Sequence, residues 1–213
     1  EAKEPLGIVT AIAAPTRLKV TIHGRQDHSG ATPMNLRKDG LCAAAEIVLG
    51  VEEAGKAESL HATVATVGVA HVHPNALNVV PGMVELRIDI RGIIKESISR
   101  AVASVRNIIR ETEGRRSIRC DVDIISAMDP VTLAPCVTDS LAAAAEESGI
   151  PFRRMPSGAG HDAMKIAAVA PAGMVFIPCR EGISHNPAEE ASLKDVALGA
   201  DIILESMRIR SRS

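Results

Sequence analysis

Two short loops in the last third of the chain carry residues that could do chemistry. Residues 157–163 read SGAGHDA and residues 182–189 read GISHNPAE, so each loop holds a histidine near glycine. Glycine lets bare backbone come close to a ligand, and a neutral imidazole is a good metal ligand. His185, in the second loop, is therefore a candidate metal ligand. An ordinary histidine of a surface loop is the alternative interpretation.

The first loop offers backbone donors for an anion. The N–H groups of Gly158 and Gly160 could bind an anionic group at the start of the helix that follows. In the alternative interpretation, the loop is an ordinary glycine turn, His161 is a packed residue and Asp162 is a charge at the start of the helix. The longer glycine pattern of a nucleotide-binding loop is absent.

Three further candidates lie in the first half of the chain. His28 occurs in DHSGATPM, Asn78 in PNALNVVPG, and Arg91 at the end of an alternating apolar and polar segment. A guanidinium at the end of a strand suits a substrate carboxylate. The alternatives are a loop histidine that caps the next helix, an asparagine used for turn chemistry, and a solvated charge at a sheet edge.

Residues 17–127 predict a sandwich of helices on a sheet. Alternation of apolar and polar residues predicts four strands, and helical spacing predicts two helices. The strands are residues 17–23, 61–72, 83–91 and 118–124, and the helices are residues 39–51 and 98–109. The order β-α-β-β-α-β is typical of a ferredoxin-like sandwich whose sheet is polar on one face. We expect the last strand to bury Ile118, Cys120, Val122 and Ile124.

The flanking segments predict a second architecture. Leu6–Ala14 is an apolar run ended by Pro15, and it could be a buried strand or a crossing between two domains. Residues 128–213 show a β-α-β-α pattern, typical of the end of an α/β sheet. The sequence therefore predicts an α/β (α+β) protein with boundaries at 1–15, 16–127 and 128–213. We expect the sheet of the last segment to be completed by strands that precede residue 1.

Composition excludes several classes of function. Of 213 residues, 46% are apolar and 23% are charged, which indicates a globular chain and not a disordered one. Two phenylalanines, no tyrosine or tryptophan and a net charge of −2 argue against nucleic acid and against a membrane surface as partners. Four cysteines without a CxxC pair predict free thiols in a reducing cytoplasm. The opening EAKEPLG is not a signal peptide, and it suggests a cut inside a larger protein.

Four stretches together resemble one family. They are GRQDHSGATPM, HPNALNVVPG running into ELRIDIRG, SGAGHDA, and FIPCREGISHNPAE. They are similar to the dinuclear-metal amidohydrolases and carboxypeptidases. Within that family the match is to the branch of N-carbamoyl-L-amino acid hydrolases, allantoate amidohydrolases and ureidoglycolate amidohydrolases. The resemblance covers nearly the whole chain, with its motifs in order.

The resemblance implies a role for each candidate residue. His185 matches the last metal ligand of the family. His28 matches a lid-domain histidine that reaches the active site of a partner subunit and stabilises the charged carbonyl oxygen, and Asn78 matches a lid asparagine that contacts the substrate. Arg91 matches the arginine that binds the substrate carboxylate. Gly158, Gly160 and His161 match the glycine loop that contacts that carboxylate from below. The sandwich would be a lid and dimerisation domain, through which a homodimer forms. The last segment would be the C-terminal part of a zinc-exopeptidase-like catalytic domain.

The resemblance also implies parts that this sequence does not show. A complete site in the family holds two divalent ions (Zn, Mn, Co or Ni), and this sequence has no counterpart to the segment with the other ligands and the general base. We therefore expect hydrolysis of small ureido or N-carbamoyl acids by the complete site and no activity from this chain alone. An aminoacylase or metallopeptidase of the same family is one alternative. A non-catalytic dimerisation or binding module is the other.

Overall fold

The structure is a computed structural model, which describes residues 4–212. Its ten strands are β1 Leu6–Ile12, β2 Ala14–His23, β3 Asp27–His28, β4 Val64–His73, β5 Val79–Val80, β6 Met83–Gly92, β7 Arg119–Ala127, β8 Val131–Thr132, β9 Phe152–Ser157 and β10 Met174–Phe176. Its five α-helices are α1 Gly40–Ala57, α2 Lys95–Arg116, α3 Pro135–Glu147, α4 Ala163–Ala167 and α5 Leu193–Ser211. Residues 14–130 form one compact unit, the sandwich unit. Residues 4–13 and 131–212 form the other, the terminal unit.

The sandwich unit has the predicted order of elements. Its sheet has the order β4-β6-β2-β7, with every neighbouring pair antiparallel. The ladder between β2 and β6 runs without interruption from Ala14 opposite Gly92 to His23 opposite Met83. Helices α1 and α2 pack with one face of this sheet in a single apolar core that includes Val20, Leu86, Ile47 and Val105. The prediction of a mixed α/β fold is confirmed.

The opposite face of the same sheet is polar. Period-two alternation places Arg17 and Lys19 of β2 on this face, where they pair with carboxylates on neighbouring strands. The Arg17 Nε atom lies 3.0 Å from Asp89, and the Lys19 Nζ atom lies 2.9 Å from Asp123. These side chains are partly or largely exposed, so each pair adds little to stability.

Ile124 is not buried, and the prediction for it was wrong. Its side chain is 55% exposed. In the pairing of β7 with β2, Ile124 lies opposite Leu18 and Ser126 lies opposite Arg17, so Ile125 is an extra residue in β7. The bulge begins only after Ile124, which still pairs with the buried Leu18. The exposure of Ile124 instead reflects the position of β7 at the edge of the sheet, where none of its residues is fully buried.

Two predicted strand boundaries were also wrong. The strand predicted for residues 6–14 ends at Ile12, and Pro15 lies near the start of β2 instead of ending β1. Proline is tolerated near the beginning of a strand because few ladder bonds need its missing N–H there. The strand predicted from His61 begins at Val64, because His61 lies in a 3-10 helix and Ala62 is left-handed, with φ of 54°.

The terminal unit is arranged around β1. This strand pairs with β9 in parallel on one side, and with β10 and β8 antiparallel on the other. Leu6 and Ile8 of β1 are buried with Leu141 of α3 and Ile202 of α5. A strand covered on both edges and packed by helices is expected to read as a continuous apolar run, as β1 does. Residues 1–3 of the predicted 1–15 segment lie outside the described residues.

The cysteines of residues 4–212 are all free thiols. Burial, helped by the charges of Glu113 and Asp121, raises the pKa of Cys120 to about 12. This thiol is therefore protonated and unreactive near neutral pH. Within residues 4–212, no helix is both long enough and apolar enough to cross a membrane.

A polar network joins the end of α1 to the first turns of α2. Arg100 donates to both carboxylate oxygens of Glu58, at 2.8 and 2.7 Å, and Ser97 donates to the same carboxylate at 2.7 Å. The Ser97 hydroxyl also lies 2.6 Å from the buried Thr63 hydroxyl. Arg100 first, and then Ser97, lower the pKa of Glu58 to about 2.

We expect Glu58→Gln to destabilise the sandwich unit in a pH-dependent way. Because the folded-state pKa of Glu58 lies below its ordinary value of 4.5, its contribution is fully present above about pH 4.5. That contribution is lost as the pH falls toward about 2. Urea unfolding between pH 4.5 and about 2 should show the difference in free energy of unfolding between parent and variant decreasing as the pH falls. Glu111→Gln, which removes an exposed i,i+4 pair with Arg115, is the matched control and should change little. A difference independent of pH would contradict the assignment.

Candidate functional site

His28 lies on a two-stranded ribbon that extends from the sandwich unit. Strand β3 pairs with β5, with His28 opposite Val79. The His28 Nδ1 atom accepts hydrogen bonds from the backbone N–H groups of Gly30, at 3.0 Å, and Ala31, at 3.2 Å. A ring nitrogen that accepts in this way carries no proton, so the neutral imidazole has its N–H at Nε2. His28 does not cap α1, because the Asp39 carboxylate does so.

The structure brings Asn78 to the same ribbon. The Ser29 N–H donates to the Asn78 carbonyl at 3.0 Å, directly beside the His28–Val79 pair. Both His28 and Asn78 are exposed. The ribbon therefore carries two neutral side chains that can donate hydrogen bonds, an imidazole and an amide, from neighbouring backbone positions.

Arg91 lies near the C-terminal end of β6, on the polar face of the sheet. Its Nε atom donates to Asp89, whose carboxylate also accepts from Arg17 at 3.0 Å. The side chain is 34% exposed. Within residues 4–212 the terminal nitrogens of Arg91 form no hydrogen bond. Asp89 therefore holds the guanidinium by one edge and leaves the edge suited to a carboxylate fork available.

The structure does not bring Arg91 beside His28. The ribbon extends from the end of the sheet where β2 ends at His23 and β6 begins at Met83, as the bond from Gly24 N–H to Gly82 carbonyl shows. Arg91 lies eight residues further along β6, which is a rise of about 26 Å in a strand. His28 and Arg91 therefore belong to opposite ends of the sheet.

The SGAGHDA loop is built around a buried serine that the sequence did not single out. Ser157, 1% exposed, ends β9, and its hydroxyl lies 2.8 Å from the His161 Nε2 atom. The same hydroxyl accepts from the Ala159 N–H at 3.2 Å. The His161 ring packs against Phe176, with ring centroids 5.7 Å apart. His161 is thus a packed residue held by Ser157, and a serine four residues before a histidine is too common a pattern to reveal this.

The glycines of this loop do not precede a helix long enough to bind an anion by its dipole. Helix α4 has only five residues, and its first residue follows Asp162, whose side chain makes no capping bond. A single turn has little macrodipole, so the anion site predicted from the helix start has no support from the helix itself. Gly158 nevertheless leaves open space where a side chain would begin, and at Gly160 a side chain would begin 3.9 Å from the Met164 Sδ atom.

His185 lies in an exposed loop between β10 and α5. It adopts a left-handed backbone conformation, with φ of 57°, and its N–H donates to the Glu189 carboxylate at 3.0 Å. Among residues 4–212, no group of three or more histidine, cysteine, aspartate or glutamate side chains is placed to hold a metal ion. His185 can therefore offer one ligand, and the described residues by themselves do not fit a two-ion centre.

Comparison with known proteins gives the class to which this fold and these residues belong. Residues 8–208 match the model of peptidase family M20/M25/M40. An N-carbamoyl-L-amino acid amidohydrolase of Geobacillus stearothermophilus is 37% identical over 210 residues, which are 97% of this chain and 50% of that protein. A ureidoglycolate hydrolase of Arabidopsis thaliana is 37% identical over 200 residues, which are 93% of this chain and 42% of that protein.

A solved structure agrees with these relatives. An amidase of the hydantoinase/carbamoylase family from Burkholderia multivorans superposes with a TM-score of 0.89 at 35% identity, over 96% of this chain and 50% of that one. The chain belongs to peptidase family M20/M25/M40. The resemblance inferred from the four motifs is confirmed. The chain spans about half the length of the relatives that it matches.

Proposed function

We propose that this chain takes part in metal-dependent hydrolysis of a linear amide or ureido C–N bond, in an N-carbamoyl amino acid, allantoate or a related ureido acid. The observation that carries the proposal is the His28 imidazole, whose Nδ1 atom is occupied so that Nε2 can donate. A fixed neutral donor of this kind suits the oxygen that becomes negative when a carbonyl is attacked. The names of the matched relatives support ureido and N-carbamoyl acids as the substrate class.

Arg91 and Asn78 complete the proposed contacts to substrate. A ureido acid has a carboxylate at one end and a polarised carbonyl at the other, so it needs a cation and neutral donors. Arg91 offers a free guanidinium edge for the carboxylate, and the hydrogen bond from its Nε atom to Asp89 fixes the direction of that edge. Asn78 adds an amide beside His28.

We propose that two copies of the chain share each site. A small ureido acid is far shorter than the rise of about 26 Å between the two ends of β6, so the His28 and Arg91 of one copy would not both contact it. In a homodimer formed through the sandwich units, His28 and Asn78 would come from one copy and Arg91 from the other. The resemblance of His28 to a residue that acts on a partner's substrate supports this arrangement.

A metal centre is proposed for the complete site only. His185 would contribute one of its ligands, and a bound metal pair would supply Lewis acidity and a nucleophilic hydroxide. The other residues that the structure describes do not supply the remaining ligands. We therefore propose that this chain alone does not hold two ions and has no hydrolase activity.

The test combines this chain with a relative. In a chimera, this chain replaces the matched half of the Geobacillus stearothermophilus protein. We expect the chimera to hydrolyse N-carbamoyl amino acids, ureidoglycolate or allantoate, and to lose activity with a chelator. Dipeptides and N-acetyl amino acids should react much more slowly.

Metal analysis of the chain alone provides the control. Weak binding of less than two ions, lost in His185→Ala, is the expected result. Two tightly held ions with turnover by the chain alone would contradict the proposed incomplete centre. A chimera that prefers dipeptides would contradict the proposed substrate class.

A further inference from the structure

The turn after His28 directs three successive backbone N–H groups back at that residue. Gly30 and Ala31 donate to the Nδ1 atom, at 3.0 and 3.2 Å, and Thr32 donates to the His28 carbonyl at 3.1 Å. Both bonds to Nδ1 need its lone pair, so they stabilise the neutral tautomer with the proton at Nε2. The tautomer of His28 therefore depends on the orientation of the peptide groups in this turn.

One side chain holds the outside of that turn. Arg37 is half-buried, and its guanidinium donates to two carbonyls of the turn, to Thr32 from Nε at 3.0 Å and to Ser29 from Nη2. A planar guanidinium presents its donors in a fixed fork, so the two carbonyl oxygens are held in one relative orientation. Arg37 thus contacts both ends of the segment that contains Gly30 and Ala31.

The bond to Ser29 acts directly on a donor to His28. The Ser29 carbonyl and the Gly30 N–H belong to the same planar trans peptide group, so they point in opposite directions. When Arg37 holds the carbonyl outward, the N–H is fixed inward, toward the Nδ1 atom. A rotation of this peptide would break both contacts together.

We propose that Arg37 is a positioning residue, which keeps the His28 imidazole in the Nε2–H tautomer by fixing the Ser29–Gly30 peptide. Its consequence for catalysis rests on the proposed function of His28. Without Arg37, the Ser29–Gly30 peptide rotates, Nδ1 loses the Gly30 donor, and Nε2 is protonated for only part of the time. Arg37 does not touch substrate in this proposal, so binding through Arg91 is unaffected.

The tautomer can be measured in this chain directly, without turnover. Two-dimensional ¹H–¹⁵N spectra of the histidine rings should show His28 with Nδ1 unprotonated and Nε2 protonated at a pH where the ring is neutral. Arg37→Met should give a mixture of the two tautomers, and Arg37→Lys, which keeps a cation and one bond, should restore part of the parent pattern. Arg110→Met removes an exposed arginine from α2 and should leave the His28 signals unchanged.

If Arg37→Met fails to fold, the parent spectrum and Arg37→Lys still test the proposal: the parent should show Nε2–H alone, and Arg37→Lys should show some of the other tautomer. A parent His28 with its proton at Nδ1, or with both tautomers equally populated, would overturn the proposal. So would a folded Arg37→Met chain whose His28 remains entirely in the Nε2–H form.

The chimera separates this proposal from the proposed function. There, Arg37→Met should lower kcat by up to about 100-fold with KM nearly unchanged, because a small displacement of a catalytic group has effects of that size. An inactive chimera whose His28 tautomer still depends on Arg37 would contradict the proposed function and support the positioning role. If the chimera is active and neither the His28 tautomer nor kcat changes in Arg37→Met, the proposed function is supported and the positioning role of Arg37 is contradicted.

Discussion

Replacing His28 with alanine is expected to lower kcat for ureido-acid hydrolysis in the chimera by about 100- to 1000-fold. The loss is large because the Nε2–H group is already oriented before the reaction, so its stabilisation of a developing negative oxygen needs no rearrangement. KM should change little, since in the proposed site the substrate carboxylate is held by Arg91 and not by His28. Steady-state kinetics with an N-carbamoyl amino acid measures both constants.

The matched control for this experiment is His61→Ala. His61 is an exposed histidine of the same unit, and it lies in a 3-10 helix away from the ribbon in sequence. Its loss should leave kcat within about twofold of the parent, as is usual for surface positions. If His28→Ala instead raises KM and leaves kcat unchanged, His28 binds the substrate but does not act on the carbonyl oxygen.

The sandwich was predictable because its two central strands, β2 and β6, alternate strictly. Strands β2 and β6 each bury every second residue over most of their length, and the ladder between them has no irregularity. The errors fell outside these two strands, at Ile124 on the edge strand β7 and at left-handed Ala62. Which strand lies at the edge of a sheet depends on how the strands pair, so a single sequence window does not reveal it.

The candidate site was predictable in residue type but not in geometry. Motifs placed His28, Asn78 and Arg91 among the candidates, but the occupied Nδ1 atom follows from peptide orientations in an irregular turn. Arg37 and Ser157 were missed for the same reason, because each acts through side-chain bonds that have no period in sequence. The separation of His28 from Arg91, by contrast, follows from strand length alone once the strands are known.

That separation predicts the behaviour of mixed variants. Arg91→Ala in the chimera should lower kcat/KM by about 100-fold, because charge-assisted bonds to the substrate carboxylate are lost. Arg87→Ala is the matched control, since Arg87 lies on the same face of the same strand and pairs with Glu85 at 3.0 Å. It should have little effect on turnover.

If two copies share each site, mixing the inactive His28→Ala and Arg91→Ala chimeras should restore part of the activity. In a mixed dimer, the His28→Ala copy supplies Arg91 and the Arg91→Ala copy supplies His28, so one of the two sites is intact. Random exchange of subunits makes about half of the dimers mixed, and activity should recover to about a quarter of the parent value. Activity that stays at the level of the separate variants, although subunit exchange is demonstrated, would mean that both residues act within one copy. The substrate would then have to reach both from one chain, which the length of β6 opposes.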